Sequence, residues 1–218
     1  MIPERLMRSV TTYRAITDRN VESEFGFGFV YKPRPAASLT LTMQHAYGLI
    51  YVLCGAAAVT LPDGRVVSLV AGDALQMNGQ APMIMRCDTT QPWCEAFLNL
   101  DRAYIRRWAE LLGMDLSSPV LRPGLHASLI RHFEKFVQEF RGAARYHLIH
   151  APCRLQELIL EIHQAHRRAT LVGSAEDKQM EEARHLLELD LKAEWNMHVM
   201  ARQVCVELRD WPSTPSRV

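Results

Sequence analysis

Between residues 26 and 101, apolar residues fall in short runs separated by glycine- and proline-containing turns, a pattern that predicts β-strands. The run SLTLTMQHAYGLIYVLCG is rich in Leu, Ile, Val, Tyr and Thr and closes at Gly55. AAAVTLPDGRVVSLV reads as a hairpin turning at Pro62-Asp63-Gly64, where proline presets φ and glycine supplies a positive φ. A further strand region, AGDALQMNGQAPMIMRC, is broken by Asn78-Gly79 and Pro82, and PWCEAFLNLD forms another strand. Short strands at this spacing predict a small barrel or sandwich.

From residue 103 the period changes to that of helices, expected over 103–112, 126–141 and 147–169. In the third, Leu148, Pro152, Leu155, Ile159 and Ile162 approximate an a/d seam, widened by Ile149 and Leu158. Such a stripe packs on its own β-region, pairs with a second chain, or does both. Ser174 followed by Asp177 fits a capping box, and after it Met180, Ala183, Leu186, Leu187 and Leu191 recur at helical spacing. A short helix after Asn196 would bury Met197, Met200, Ala201 and Val204. Pro212 and Pro215 then argue against a helix over 207–218.

The order of strands, helices and a final Trp-containing turn resembles the AraC family of transcription regulators. In its DNA-binding domain a scaffold helix leads into a helix-turn-helix; the matching residues here are Met180, Ala183, Leu187, Trp195, Met197, Ala201 and Val204. Gly55, the Asp63-Gly64 turn and Gly72-Asp73 match the family's cupin ligand-binding block. Where the family often has proline and then histidine, this chain has Asn78 and Met83. The resemblance implies an α+β chain with a cupin-like effector-binding β-barrel over 1–101. A helical linker and dimerisation subdomain follows over 102–172, and an incomplete helix-turn-helix domain over 173–218. No recognition helix follows Glu207, so no residue is carried over as a base reader.

The family's sugar-contacting positions fall on Thr40, Gln44, Met85, Glu95 and Phe97. Gln44 would orient hydroxyls, Glu95 would accept hydrogen bonds and Phe97 would stack on a ring face. Alternation puts Thr40 and Gln44 on one side of a strand without saying whether that side is inner or solvated. Tyr47 and Tyr51 have the opposite parity and are expected to pack on helices. The dimer contact would use Leu148, Leu155, Ile159 and Ile162. The expected partners are a small-molecule effector, a sugar among the candidates, and a second copy or a longer homologue; DNA would be bound weakly or not at all.

Metal-dependent cupin enzymes, the rival reading, need two or three barrel histidines. Of nine histidines only His45 lies in the strand region, so no metal, cofactor or catalytic residue is expected. The pairs His147 with His150 and His163 with His166 have i, i+3 spacing but sit among Arg and Gln residues, as on a solvated helix face. Ser117, Ser118 and Ser128 lack a glycine elbow.

Composition narrows the picture further. A chain of 218 residues, 48% hydrophobic and 22% charged, suits one domain with a helical appendage. The formal net charge of +1 is far from that of a protein dominated by phosphate contacts. Five scattered cysteines without a CxxC pair read as reduced packing residues. The charged N-terminus and the lack of a long apolar run predict a cytoplasmic protein without membrane spans.

Overall fold

Alternating residues become ten strands in the computed structural model, which describes residues 9–18, 21–43, 46–79, 81–141 and 150–171. The strands are β1 (Val10–Asp18), β2 (Val21–Lys32), β3 (Leu39–Leu41), β4 (Ala46–Cys54), β5 (Ala56–Thr60), β6 (Val66–Val70), β7 (Ala74–Met77), β8 (Met83–Cys87), β9 (Trp93–Asp101) and β10 (Val120–Leu121). The described helices are α1 (Arg102–Leu112), α2 (Ala127–Phe140) and α3 (Ala151–Leu171). Gln44, Leu148 and the helix-turn-helix reading over 173–218 lie outside the described residues.

All pairings are antiparallel and make two sheets: six strands in the order β1-β2-β9-β4-β7-β10 and four in the order β3-β8-β5-β6. Of the small barrel or sandwich expected, the described strands form two sheets and no closed barrel. The chain passes from the larger sheet to the smaller at Gly55, whose φ is +99°. A Cβ there would lie 2.9 Å from the carbonyl oxygen of Pro92, so only glycine fits this corner. The run expected as one strand from Ser38 to Gly55 also divides, with β3 in the small sheet and β4 in the large one.

Alternation sorts the side chains of the large sheet into two buried sets. Phe25, Phe27, Phe29, Tyr47, Leu49, Tyr51, Cys94, Ala96, Leu98 and Leu100 form one core with the helices. Ile50, Val52, Leu75, Met77, Trp93 and Phe97 form the other with Ala57, Val59, Leu69, Met83, Met85 and Cys87 of the small sheet. Each fully buried large apolar side chain contributes about 1.5–3 kcal/mol, so both faces of the large sheet stabilise the fold. On α2 the stripe Leu129, Phe133, Phe136, Val137 and Phe140 faces the sheet, and the Phe136 ring meets Phe27 edge-on at 4.6 Å.

Tyr47 and Tyr51 lie on the helix side, as their parity predicts, and their hydroxyls fix the segment that leads to α2. The Tyr51 hydroxyl donates to the carbonyl of Gly124 at 2.7 Å and accepts from the backbone N–H of His126 at 3.0 Å. The Tyr47 hydroxyl donates to Gln76 Oε1 at 3.1 Å, and the Gln76 amide donates to the carbonyls of Asp115 and Ser118. The fully buried Gln76 thus has its donors and acceptor engaged.

Helix α1 starts at Asp101, whose carboxylate accepts from Ala103 N–H at 2.7 Å, and stops at Gly113 in the left-handed conformation. In α3 the stripe expected to meet a second chain is consumed internally. Leu155, Ile159 and Ile162 are fully buried in the core shared with the large sheet, and this corrects their assignment to a dimer surface. His163, expected on a solvated face, is also buried. No described helix is long and apolar enough to cross a membrane. Residues 1–169 cluster as one compact unit.

Candidate ligand site between the sheets

The inner face of the large sheet is built from rows of register partners. Across β2, β9 and β4, Val30 lies beside Glu95 and Glu95 beside Val52. The next row is Gly28, Phe97, Ile50 and, on β7, Leu75. The last is Gly26, Asn99, Gly48 and Met77. This last row has two positions without side chains, so the backbone itself forms part of the surface.

Methionine ends fill the space above it. A Cβ on Gly48 would lie 2.8 Å from Met77 Cε, 3.0 Å from Met43 Cε and 3.1 Å from Asn99 Oδ1. All three contacts are with the ends of side chains and none with backbone. Methionine is unbranched and adaptable, so this filling can rearrange around a guest. Arg102 holds the strand-joining segment beside it, donating through Nη2 to the carbonyl of Met43 at 2.8 Å.

Glu95 supplies the charged group of this face. Its Oε2 accepts from the indole N–H of Trp93 at 2.5 Å, and it is half-buried. Burial raises its pKa above the ordinary carboxylate range, while the Trp93 hydrogen bond and the positive charge of Lys32 pull the other way. Burial likewise pushes the Cys87 thiol up, with Lys32 lowering it and Glu95 raising it further. Among the described residues, no three His, Cys, Asp or Glu side chains converge as a metal site.

The structure brings together three of the five expected contact positions. Met85, Glu95 and Phe97 lie on facing inner surfaces, with Met85 and Phe97 buried. Thr40 does not join them. It is exposed, pairs with the exposed Ile84 on the outer side of the small sheet, and leaves Leu39 and Leu41 to face inward. Parity counted back from Gly55 cannot pass through 42–45, where the chain changes sheets, and this corrects the placement of Thr40. Gln44 lies outside the described residues. Asn99, Gly48, Met43 and Met77 were not singled out from the sequence; the alternation of Trp93, Glu95, Phe97 and Asn99 along β9 was the available signal for Asn99.

No protein-family model matches this sequence, and none of the curated protein sequences does. Several solved structures are similar to it. YhaK from Escherichia coli shares 20% identity over 44% of this chain and 45% of its own, with a TM-score of 0.37. The chain thus spans less than half the length of YhaK. The AraC-like transcriptional activator CuxR shares 12% identity over 92% of this chain and 85% of its own, with a TM-score of 0.45. The K231A form of ToxT from Vibrio cholerae shares 9% identity over 83% of this chain and 71% of its own, with a TM-score of 0.43. The solved structures similar to this chain therefore include AraC-like regulators.

Proposed function

We propose that this chain is the effector-sensing part of an AraC-type transcription regulator, acting in the cytoplasm. Its effector is a small hydroxyl-bearing ring, such as a sugar, held between the two sheets. The observation that carries this reading is the grouping of Glu95 and Phe97 on one inner face that also bears the unsubstituted backbone of Gly48. Glu95 accepts from hydroxyls, Phe97 offers a ring face, and Met43, Met77 and Met85 supply adaptable apolar contact. The chemistry proposed is binding without turnover.

In such a sensor the ligand shifts a pre-existing equilibrium between two arrangements, and only by its differential affinity for them. Pairing of two chains would use surface other than Leu155, Ile159 and Ile162, which the core occupies. The test is thermal unfolding of the full chain against a panel of pentoses, hexoses and small aromatic acids. A hydroxylated ring should raise the midpoint in a concentration-dependent way, and the rise should vanish in Glu95→Gln. A panel without a stabilising hydroxylated ring, or a rise that survives the substitution, would contradict the reading.

A further inference from the structure

Cys54 and Cys94 are register partners across β4 and β9. Alternation along β4 would turn Cys54 to the inner side with Ile50 and Val52, but the register shifts between Val52 and Cys54, where Leu53 is the extra residue. An irregularity of this kind re-aims the side chain that follows it. Cys54 thereby packs against the helix-side core, to which Cys94 belongs. Both are free thiols, and among the described residues no other two cysteines are register partners. Directly opposed residues of antiparallel strands have Cα atoms about 4.5–5.5 Å apart, inside the roughly 4.4–6.8 Å that a disulfide spans.

The two thiols differ in access. Cys54 is half-buried, and its Sγ donates to the carbonyl of Pro92 at 3.5 Å in a solvent-exposed position. Cys94 is fully buried, and burial, reinforced by the neighbouring Cys54 and Glu95, pushes its thiol up to about 12. A dissolved oxidant therefore meets Cys54 first, and Cys94 is shielded from it.

We infer that Cys54 and Cys94 form a reversible thiol switch, in which hydrogen peroxide oxidises the accessible Cys54 and the buried Cys94 closes a disulfide onto it. In the first step the Cys54 sulfur attacks a peroxide oxygen and the O–O bond breaks. The leaving oxygen takes up the thiol proton and departs as water, and Cys54, oxidised by two electrons, is left as a sulfenic acid. The Cys94 sulfur then attacks the Cys54 sulfur; the S–S bond forms, the S–O bond breaks, and the leaving hydroxide carries off the Cys94 proton as a second water. Two thiols and one peroxide thus give one disulfide and two waters. The bond ties β4 to β9 beside Gly55, where the chain passes between the sheets, and a dithiol reductant reverses it. The switch does not depend on what occupies the inter-sheet face.

The experiment treats the full reduced chain with hydrogen peroxide, blocks the remaining thiols with N-ethylmaleimide in denaturant and reads the digest by mass spectrometry. Two fewer of the five cysteines should take up the maleimide, and one peptide pair should be joined through Cys54 and Cys94, a link that dithiothreitol removes. In Cys94→Ala no link should form, and dimedone should trap the sulfenic acid on Cys54. In Cys54→Ala, Cys94 should remain a thiol at the same peroxide dose. The wild-type digest carries the test by itself if either variant does not fold. Cys54 carried on to the sulfinic acid, a gain of about 32 Da, beside a free Cys94 would overturn the inference. So would a link from Cys54 to Cys87, Cys153 or Cys205, or two thiols that survive the peroxide unchanged. An equal yield of the Cys54–Cys94 link from the chain unfolded in urea, where no register opposes the two residues, would overturn it as well.

Discussion

The indole N–H of Trp93 donates to Oε2 of Glu95, two residues along the same strand and on the same inner face. That contact only partly offsets the cost of burying the carboxylate, so the Glu95 pKa stays raised in the fold. The folded protein therefore keeps a proton that the unfolded chain releases at the ordinary glutamate value of about 4.3. As pH rises from there through the raised folded value, the Glu95 contribution to stability falls. Glu95→Gln keeps an acceptor for Trp93 and removes the charge. Urea denaturation across this window should show the variant gaining stability relative to wild type with rising pH, then levelling off above the folded pKa. A difference independent of pH would count against a buried, raised Glu95.

Gly48 and Gly55 should respond differently to alanine. At Gly48 the new methyl meets only side-chain ends, two of them methionine, which can shift. Gly48→Ala should cost no more than about 1 kcal/mol. At Gly55 the methyl meets the backbone oxygen of Pro92 and the Trp93 ring at 2.9 Å, in a conformation with φ +99°. Gly55→Ala should cost about 3 kcal/mol or more, since both strain and a backbone clash contribute. Equilibrium denaturation of the two variants checks the order.

Removing the Tyr51 hydroxyl leaves the carbonyl of Gly124 and the N–H of His126 without their shared partner. Tyr51→Phe should destabilise by about 1–3 kcal/mol. Amide exchange should speed up at His126 and Ala127, where α2 begins.

Ile159→Ala tests where the α3 stripe is used. A fully buried isoleucine in the helix–sheet core should cost about 2–5 kcal/mol when cut to alanine. The oligomeric state measured by light scattering should remain that of the wild type under folding conditions. A changed oligomeric state at unchanged stability would return the stripe to an interface.

Much of this fold was legible because its turns are chemically marked. Gly55, the Pro62-Asp63-Gly64 turn and Gly72-Asp73 delimit strands where expected, and Asp73 closes its turn by accepting from Val70 N–H at 3.0 Å. Helices α1 and α2 lie within a residue of the periods that predict them. The division of the run from Ser38 to Gly55 between two sheets was not legible. Alternation continues as a pattern across 42–45 although the chain changes layers there, so it cannot tell on which side Thr40 falls, while Glu95 and Phe97, within one unbroken strand, share the inner face. Strand β1 lies before the region read as strand, which starts at residue 26, and the two-residue β10 is too short to have a period. The α3 stripe was seen, but a wide apolar stripe has the same spacing whether a sheet or a second chain covers it.

The most direct test of the inter-sheet site is calorimetric titration of a stabilising hydroxylated ring into wild type, Glu95→Gln, Gly48→Leu and Thr40→Ala. Binding one-to-one to wild type, with affinity lowered about tenfold or more in Glu95→Gln and Gly48→Leu, equivalent to at least about 1.4 kcal/mol, is the predicted result. Thr40→Ala, on the outer side of the small sheet, should bind as wild type does. Undiminished affinity in both inner-face variants, or a loss confined to Thr40→Ala, would contradict a site between the sheets.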